Sequence, residues 1–507
     1  MELLSVPQLL LSSCYNNVTF LGIFLTVFVL LLDFMKRRKT WNRYPPGPLS
    51  IPFLGNMLQV DFRQPHISFS QLSKKYGNVF SLQFCWKNTV VLNGFKVLKE
   101  ALVVKSEDFA DRPPFPLFKH LGVNKNCEGV VLARYGRGWR EQRRFSVSTM
   151  RNFGLGKKSL EERIIEEAGF LCSVFESKGG QPFDVHGDIS SAVSNVICSL
   201  VFGNRFEYDD KRFLRLLHLF DESMKELSGF LVQLLNAIPS LICIPGIIKG
   251  LFDCHDEIVK NLKEIVAEHK ASWDPAYQRD FIDAYLEEIE KTKGDPETSF
   301  TELNLIFTTL DLFGAGTETS STTLRWALLF MILHPDIQSK VHEEIDRVIG
   351  RDRRPVLDDQ AHLHFTNAVI HEFQRYGNIV PITLPRMTYR DTEIQGFFIP
   401  KGTSVLYNLY SVLKDETLWE KPHQFYPEHF LSPEGKFVKR DAFIPFSAGR
   451  RMCLGEPLAR LELFLFFTTL MQHFTFHVPE NQPRPREDAC FTQTLSPLPY
   501  QICAKPR

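Results

Sequence analysis

The 507-residue sequence has no surplus of either charge: 59 Lys and Arg stand against 59 Asp and Glu. No global field therefore draws a nucleic acid or an acidic ligand, and a charged partner must meet a local patch. Paired cysteines are also missing. The ten cysteines, at 14, 85, 127, 172, 198, 243, 254, 453, 490 and 503, include no pair at CxxC or metal-finger spacing. That excludes a zinc module and argues against a disulfide framework, and thiols scattered in this way suit a reducing compartment. No GxGxxG opens a βαβ unit and no Walker loop is present, since Gly154-Leu-Gly156-Lys-Lys-Ser lacks the spacing. A chain without a nucleotide site of its own must receive electrons, if it needs them, from another protein. Between residues 51 and 507 there is no Gly/Ser linker, repeat or low-complexity tract, which favours one large domain. With 44% hydrophobic and 23% charged residues, the chain can bury a large core.

Residues Val18 to Leu32 form an uncharged apolar run, and Lys36, Arg37, Arg38 and Lys39 follow it. A cleavable signal would carry its positive charge before the run, so residues 1–40 read as an uncleaved membrane anchor with a cytosolic basic stop. Residues 41–52, with Pro45, Pro46, Pro48 and Pro52, make an extended tether. The body, residues 53–507, then lies on the cytosolic side. Apolar periodicity predicts helices at 137–151, 160–177, 188–202, 211–236, 246–272, 279–292, 301–333, 335–349, 362–376 and 457–473. Hairpin strands are expected at 79–84 with 89–92, and at 388–399 with 404–406. The fold class is mainly α with a small β part.

The strongest chemical signal is Phe446-Ser-Ala-Gly449-Arg-Arg451-Met-Cys453-Leu-Gly455, followed by Pro457 and an apolar helix. The glycines permit a tight loop whose backbone comes close to a flat ligand, and Pro457 suits a first helical turn. The N-terminal amides of that helix point back at Cys453 and favour a thiolate. Arg451 can pair with a carboxylate on the ligand's rim, and Phe446 can pack on its face. Further upstream, Glu372 and Arg375 are three residues apart and share one helical face. Gly314 and Gly316 interrupt a long helix at a cost of about 1 kcal/mol each, which implies that something approaches it closely. Asp311, Glu318 and Arg325 within that helix exclude a membrane span.

The Cys loop resembles the haem-binding signature FxxGxRxCxG of cytochromes P450 at every fixed position. HEFQRY resembles the family's ExxR element, and the segment Pro427-Glu428-His429-Phe430 resembles its third partner, although many relatives have Arg where His429 stands. Ala315-Gly316-Thr317-Glu318-Thr319 resembles the oxygen-activating AGx(D/E)T element, and Trp139-Arg-Glu-Gln-Arg143 resembles WxxxR. WREQRRFSVST and VLKDETLWEKP are similar to runs in microsomal family 2, subfamily D.

The resemblance implies a P450 fold behind an N-terminal transmembrane anchor helix. It implies haem b on Cys453, with Trp139, Arg143, Arg112, Arg386 and Arg451 as propionate partners and Phe446, Gly449 and Ala315 close to the ring. Thr319 and Glu318 become the proton-handling pair, with Glu372, Arg375 and His429 as a structural network. The implied reaction inserts one atom of O2 into a lipophilic, often basic-amine substrate, with NADPH electrons arriving through NADPH-cytochrome P450 reductase and cytochrome b5 as a further partner. The implied substrate contacts are Asp311 as amine anchor, Ala315, Glu226, Leu384 and Phe491. Relatives carry an assisting acid where Leu227 stands here. Arginines 134, 137, 140, 143, 144 and 151 form a basic stretch suited to an acidic reductase. The expected location is the endoplasmic reticulum membrane, with no nucleic-acid partner. A haem-thiolate isomerase or dehydratase, acting on peroxides without a reductase, is the alternative; a haem-based sensor or carrier is a third reading.

Overall fold

The computed structural model describes residues 18–32, 43–122, 129–154, 158–227, 229–244 and 246–507. Helix α1 (Pro65–Tyr76) precedes an antiparallel hairpin of β1 (Val79–Phe84) and β2 (Lys87–Leu92), in which Val79 faces Leu92. Then follow α2 (Arg137–Asn152), α3 (Lys158–Ser177), α4 (His186–Val201), α5 (Lys211–Glu226), α6 (Gly229–Ala237), α7 (Lys249–Ala271), α8 (Phe281–Lys291), α9 (Glu302–Leu333), α10 (Pro335–Val348) and α11 (His364–Gly377). The C-terminal part holds the short strands β3 (Arg386–Met387), β4 (Thr392–Ile394), β5 (Phe397–Ile399) and β6 (Ser404–Tyr407). After them come α12 (Glu456–His473) and a hairpin of β7 (Ala489–Phe491) with β8 (Leu495–Pro497).

Helix α9 is the axis of the molecule. The Thr301 hydroxyl accepts from the Asn304 amide at 3.1 Å and starts it. Every residue from Ser320 to Leu333 is buried, so this half is enclosed on all sides by α4, α11 and α12. Asp210 and Asp280 cap α5 and α8 in the same way, accepting from the Phe213 and Asp283 amides at 2.8 and 3.0 Å. The main core runs through α3, α4, α9 and α12, and a second cluster lies under the β1-β2-β6-β3 sheet.

Two expectations need correction. The single helix expected over 211–236 is two helices, because α5 ends at Glu226 and Gly229 takes φ +88°, a left-handed turn that glycine accommodates. The second hairpin is β4 with β5, pairing Thr392 with Ile399. Strand β6 instead runs parallel to β2 and antiparallel to β3, so 404–406 does not pair with 388–399 as read from the sequence.

Residues 18–32 are helical, with most of their side chains exposed. Among the described residues no helix is long and apolar enough to cross a membrane. The rest of the expected anchor, including the basic stop at 36–39, lies outside the described residues.

Candidate functional site

The Cys loop is held from both ends. Ser447 and Gly449 take φ +60° and +74°, and a Cβ on Gly449 would collide with the Leu102 carbonyl oxygen, so only glycine fits there. The Cys453 amide donates to the Phe446 carbonyl at 3.1 Å, and the Arg143 guanidinium donates to the Met452 carbonyl at 2.7 Å. Cys453 keeps accessible surface although most of its surroundings are protein. Burial pushes its thiol up, while the N–H groups of Gly455 and Glu456 at the start of α12, with Arg143, pull it down.

Four guanidiniums crowd the surroundings. Arg451 spends its nitrogens on the carbonyls of Ala110, Val130 and Ala133 at 2.8, 3.4 and 2.6 Å. Arg112 donates to the carbonyls of Val131, Leu384 and Pro385 at 3.0, 2.8 and 2.8 Å. Burial and mutual repulsion pull Arg451 down to about 8 and Arg112 to about 9. Arg386 is buried and donates to the Ser447 hydroxyl at 3.1 Å, yet its Nε and Nη1 lack partners among the described residues, as does the buried Nε1 of Trp139. Guanidiniums do not give up their protons readily, and unsatisfied buried donors are costly. The donor set therefore fits a flat ligand with two carboxylates, as haem has, offered by Arg386 and Trp139. Arg451 and Arg112 are committed mainly to holding backbone.

On α9, Ala315 is accessible although the helix around it is mostly buried, while Thr319 is half-buried and its hydroxyl donates to the Ala315 carbonyl at 2.8 Å. The flanking glycines answer to neighbouring helices and not to a flat ligand. A Cβ on Gly314 would lie 2.9 Å from the Phe220 ring of α5, and one on Gly316 would lie 2.5 Å from Ile197 of α4. Asp311 accepts at Oδ2 from the amides of Val130 and Val131 at 2.7 and 2.9 Å. The same strand of loop thus joins Asp311 to Arg112 and Arg451. Burial raises the Asp311 carboxyl to about 6, opposed by those two amides.

Glu372 and Arg375 are fully buried and doubly bonded, at 2.7 and 2.8 Å. Arg375 continues to the carbonyls of Leu413, Pro422 and Gln424. His429 lies 3.2 Å from Glu372 through Nδ1, and its Nε2 accepts from the Lys421 amide at 3.0 Å. That assigns the proton to Nδ1 and makes His429 a neutral donor, so the pair does not need a second cation.

Not every expected residue comes together. Glu226 is exposed at the end of α5, with its carboxylate beside Gly250 of α7. Leu384 is 40% exposed, and Phe491 sits in β7 near the His66 ring. Phe446 is half-buried under the Arg460 guanidinium. Of the basic stretch, Arg134 pairs with Asp111 and Arg137 with Glu141, Asp295 and Glu297, leaving Arg140, Arg144 and Arg151 as its outward-facing members. The sequence reading missed Asp111, which accepts from Arg112, Arg134 and Tyr135. It also missed Glu462, an acid set among leucines and phenylalanines in the interior of α12, and that apolar setting was the available signal.

The Cytochrome P450 family model matches residues 45–504. The chain is 55% identical to cytochrome P450 2D15 of Canis lupus familiaris and 56% identical to cytochrome P450 2D6 of Homo sapiens. Each alignment covers 96% of this chain and 98% of the relative. Cytochrome P450 2D14 of Bos taurus is 55% identical over the same share. The chain belongs to the cytochrome P450 family, beside its subfamily 2D members, and is a monooxygenase that carries haem on a cysteine thiolate and uses O2 with reductase-supplied electrons.

Proposed function

We propose that this monooxygenase oxidises lipophilic substrates, basic amines among them, by hydroxylation and by N- and O-dealkylation, with Cys453 as the axial ligand. The observation that carries the reading is the set of unsatisfied buried donors on Arg386 and Trp139, with an accessible cysteine in the loop that Arg386 and Arg143 hold. When bound, the haem supplies oxygen activation, and the thiolate's electron donation favours O–O cleavage. The chain's own residues do the rest. Cys453 holds the iron, Arg386 and Trp139 hold the carboxylates, and Ala315 and Gly449 let the ring lie close to backbone. Thr319 and Glu318 handle protons at the oxygen side. Asp311 offers its second oxygen to a substrate ammonium, with Leu384 and Phe491 as apolar contacts.

NADPH-cytochrome P450 reductase, with cytochrome b5 as a second donor, would dock on the face of Arg140, Arg144 and Arg151. That helix reaches the Cys loop through the Arg143 bond to Met452. Residues 1–40 serve as the anchor in the endoplasmic reticulum membrane and 41–52 as the tether, with the catalytic body 53–507 in the cytosol.

The test is the reduced, carbon-monoxide-bound spectrum of the wild type and of Cys453→Ser, together with turnover of a lipophilic amine. We expect a thiolate-type Soret band that the serine variant loses, because its oxygen is not a soft anionic donor. Turnover should require both NADPH and reductase. An unchanged band would remove Cys453 from its role, and turnover of a hydroperoxide without either reagent would favour the isomerase.

A further inference from the structure

Glu318 is held asymmetrically. Its Oε1 accepts from the Thr494 hydroxyl at 2.6 Å and from the Thr322 hydroxyl at 3.2 Å. The Ser496 hydroxyl lies 3.2 Å from Thr494 and 3.5 Å from Thr322, closing a cage of three hydroxyls. Oε2 accepts no bond among the described residues, and it is not sealed from water. Glu318 also lines a cavity of about 170 Å³ between α4, α5 and α9, together with Ser190, His218 and Asp221. One oxygen is thus fixed by the C-terminal hairpin and the other is left open. The hairpin reaches the roof of the site too, because Gln493 donates to the Leu227 carbonyl at 2.7 Å.

We propose that Thr494 is a positioning residue for Glu318: by holding Oε1 it keeps Oε2 open, so that the carboxylate exchanges protons with solvent in the α4–α5 cavity and serves oxygen activation at the neighbouring Thr319. This rests on the reading of Glu318 as the proton-handling acid. The charged groups that act on the carboxylate are Arg325 of α9 and Asp221 and Lys225 of α5; His186 of α4, which faces Arg325 and Asp221, and His218 of α5 line the same cavity. Burial raises the Glu318 carboxyl, and the Thr494 bond is the largest influence opposing it. A hydrogen bond to the ionised form favours that form, so its removal moves the titration upward. The electron balance gives a second readout. In a coupled cycle, substrate, O2, NADPH and one proton give oxygenated product, water and NADP+. In an uncoupled cycle, O2, NADPH and one proton give hydrogen peroxide and NADP+.

Full-length, haem-loaded protein is prepared as wild type, T494V, T494S and E318Q. The protonated-carboxyl infrared band that E318Q lacks reports the Glu318 titration whether or not the protein turns over. We expect its midpoint to rise by about one pH unit in T494V and to return in T494S, which restores the hydroxyl. With reductase and a lipophilic tertiary amine, T494V should also lower product per NADPH at least threefold and shift the pH profile of that ratio upward, with T494S near wild type. If T494V loses haem, T494A carries the same comparison. An unmoved band in T494V, or a T494S variant that behaves like T494V while fully haem-loaded, overturns the proposal. A moved band in a protein without reductase-dependent turnover would leave the positioning intact and sink the monooxygenase reading instead.

Discussion

Asp311 shows what a single residue's environment adds to its identity. Its place on α9 was legible as a charge inside a mostly apolar helix, and so was a pairing with backbone amides of the loop near Val123 to Gly129; the amides it meets, those of Val130 and Val131, lie one and two residues further on. Asn keeps an oxygen that can accept both amides, so Asp311→Asn removes the charge while sparing the loop. A partly buried ion pair at ~4 Å is worth up to about 4 kcal/mol at an effective dielectric of ~20, before desolvation. Cationic substrates should then bind roughly ten to several hundred fold more weakly, and neutral ones of the same size unchanged. The carboxyl titrates near 6. Wild-type affinity for a cation should therefore fall as pH drops through that value, reaching lower pH once the cation is bound, while the variant stays flat. Spectral binding titrations between pH 5 and 8 measure both effects. Equal losses for cations and neutral ligands would assign Asp311 to the loop alone. The arginines teach a related lesson: the sequence offered more cations than two carboxylates require, and only the backbone carbonyls around Arg451 and Arg112 separate scaffold from binding groups.

At the scale of elements, most of the longer helices were legible to within a few residues, because α9 and α12 are long apolar runs that begin at Thr301 and at the Gly455-Glu456-Pro457 turn; α1 gave no such run and was missed. The β1–β2 hairpin was legible too, but the long-range strand partners were not, since the β2–β6 pairing of Leu92 with Tyr407 depends on chain far away. The crossing of α9 and α12 was likewise invisible, and it contains a buried acid. Glu462 accepts from the Ser320 hydroxyl at 2.6 Å at Oε2, and its Oε1 is sealed without a partner. Burial raises this carboxyl to about 8, with the Ser320 bond opposing. A carboxyl whose folded value is raised gives stability that is fully present below its unfolded value near 4.5 and is lost as pH rises through about 8. The loss cannot exceed about 1.4 kcal/mol per pH unit. Glu462→Gln is neutral at every pH and should flatten this slope, so its melting temperature should gain on wild type as pH goes from 6 to 9. Parallel melting curves across that range would place the ionisation elsewhere.

For the whole molecule, attachment to a membrane is the property least contained in the folded body, yet the body exposes a second apolar surface. Residues 231–248 are mostly apolar and contain Pro239 and Pro245, and they form the end of α6 followed by a short 3-10 turn from Pro239 to Cys243. One face of this segment packs on Leu117 and Leu121, burying Val232, Leu235 and Ile242. The adjacent Phe230 and Leu231, and Ile244 beyond the 3-10 turn, remain 42, 44 and 46% exposed, which leaves apolar side chains of one segment in water. Completing the burial of three such side chains in lipid is worth on the order of 3–5 kcal/mol, a millimolar-range affinity that holds only part of the protein on a vesicle. Deleting residues 1–40 should therefore leave a folded, haem-loaded body that cosediments partially with vesicles, and because the contact is apolar the bound fraction should survive high salt. Adding Phe230→Ser, Leu231→Ser and Ile244→Ser to the deletion should release it without altering the carbon-monoxide spectrum. A truncated protein that stays fully in the supernatant at both low and high salt would leave residues 1–40 as the sole attachment.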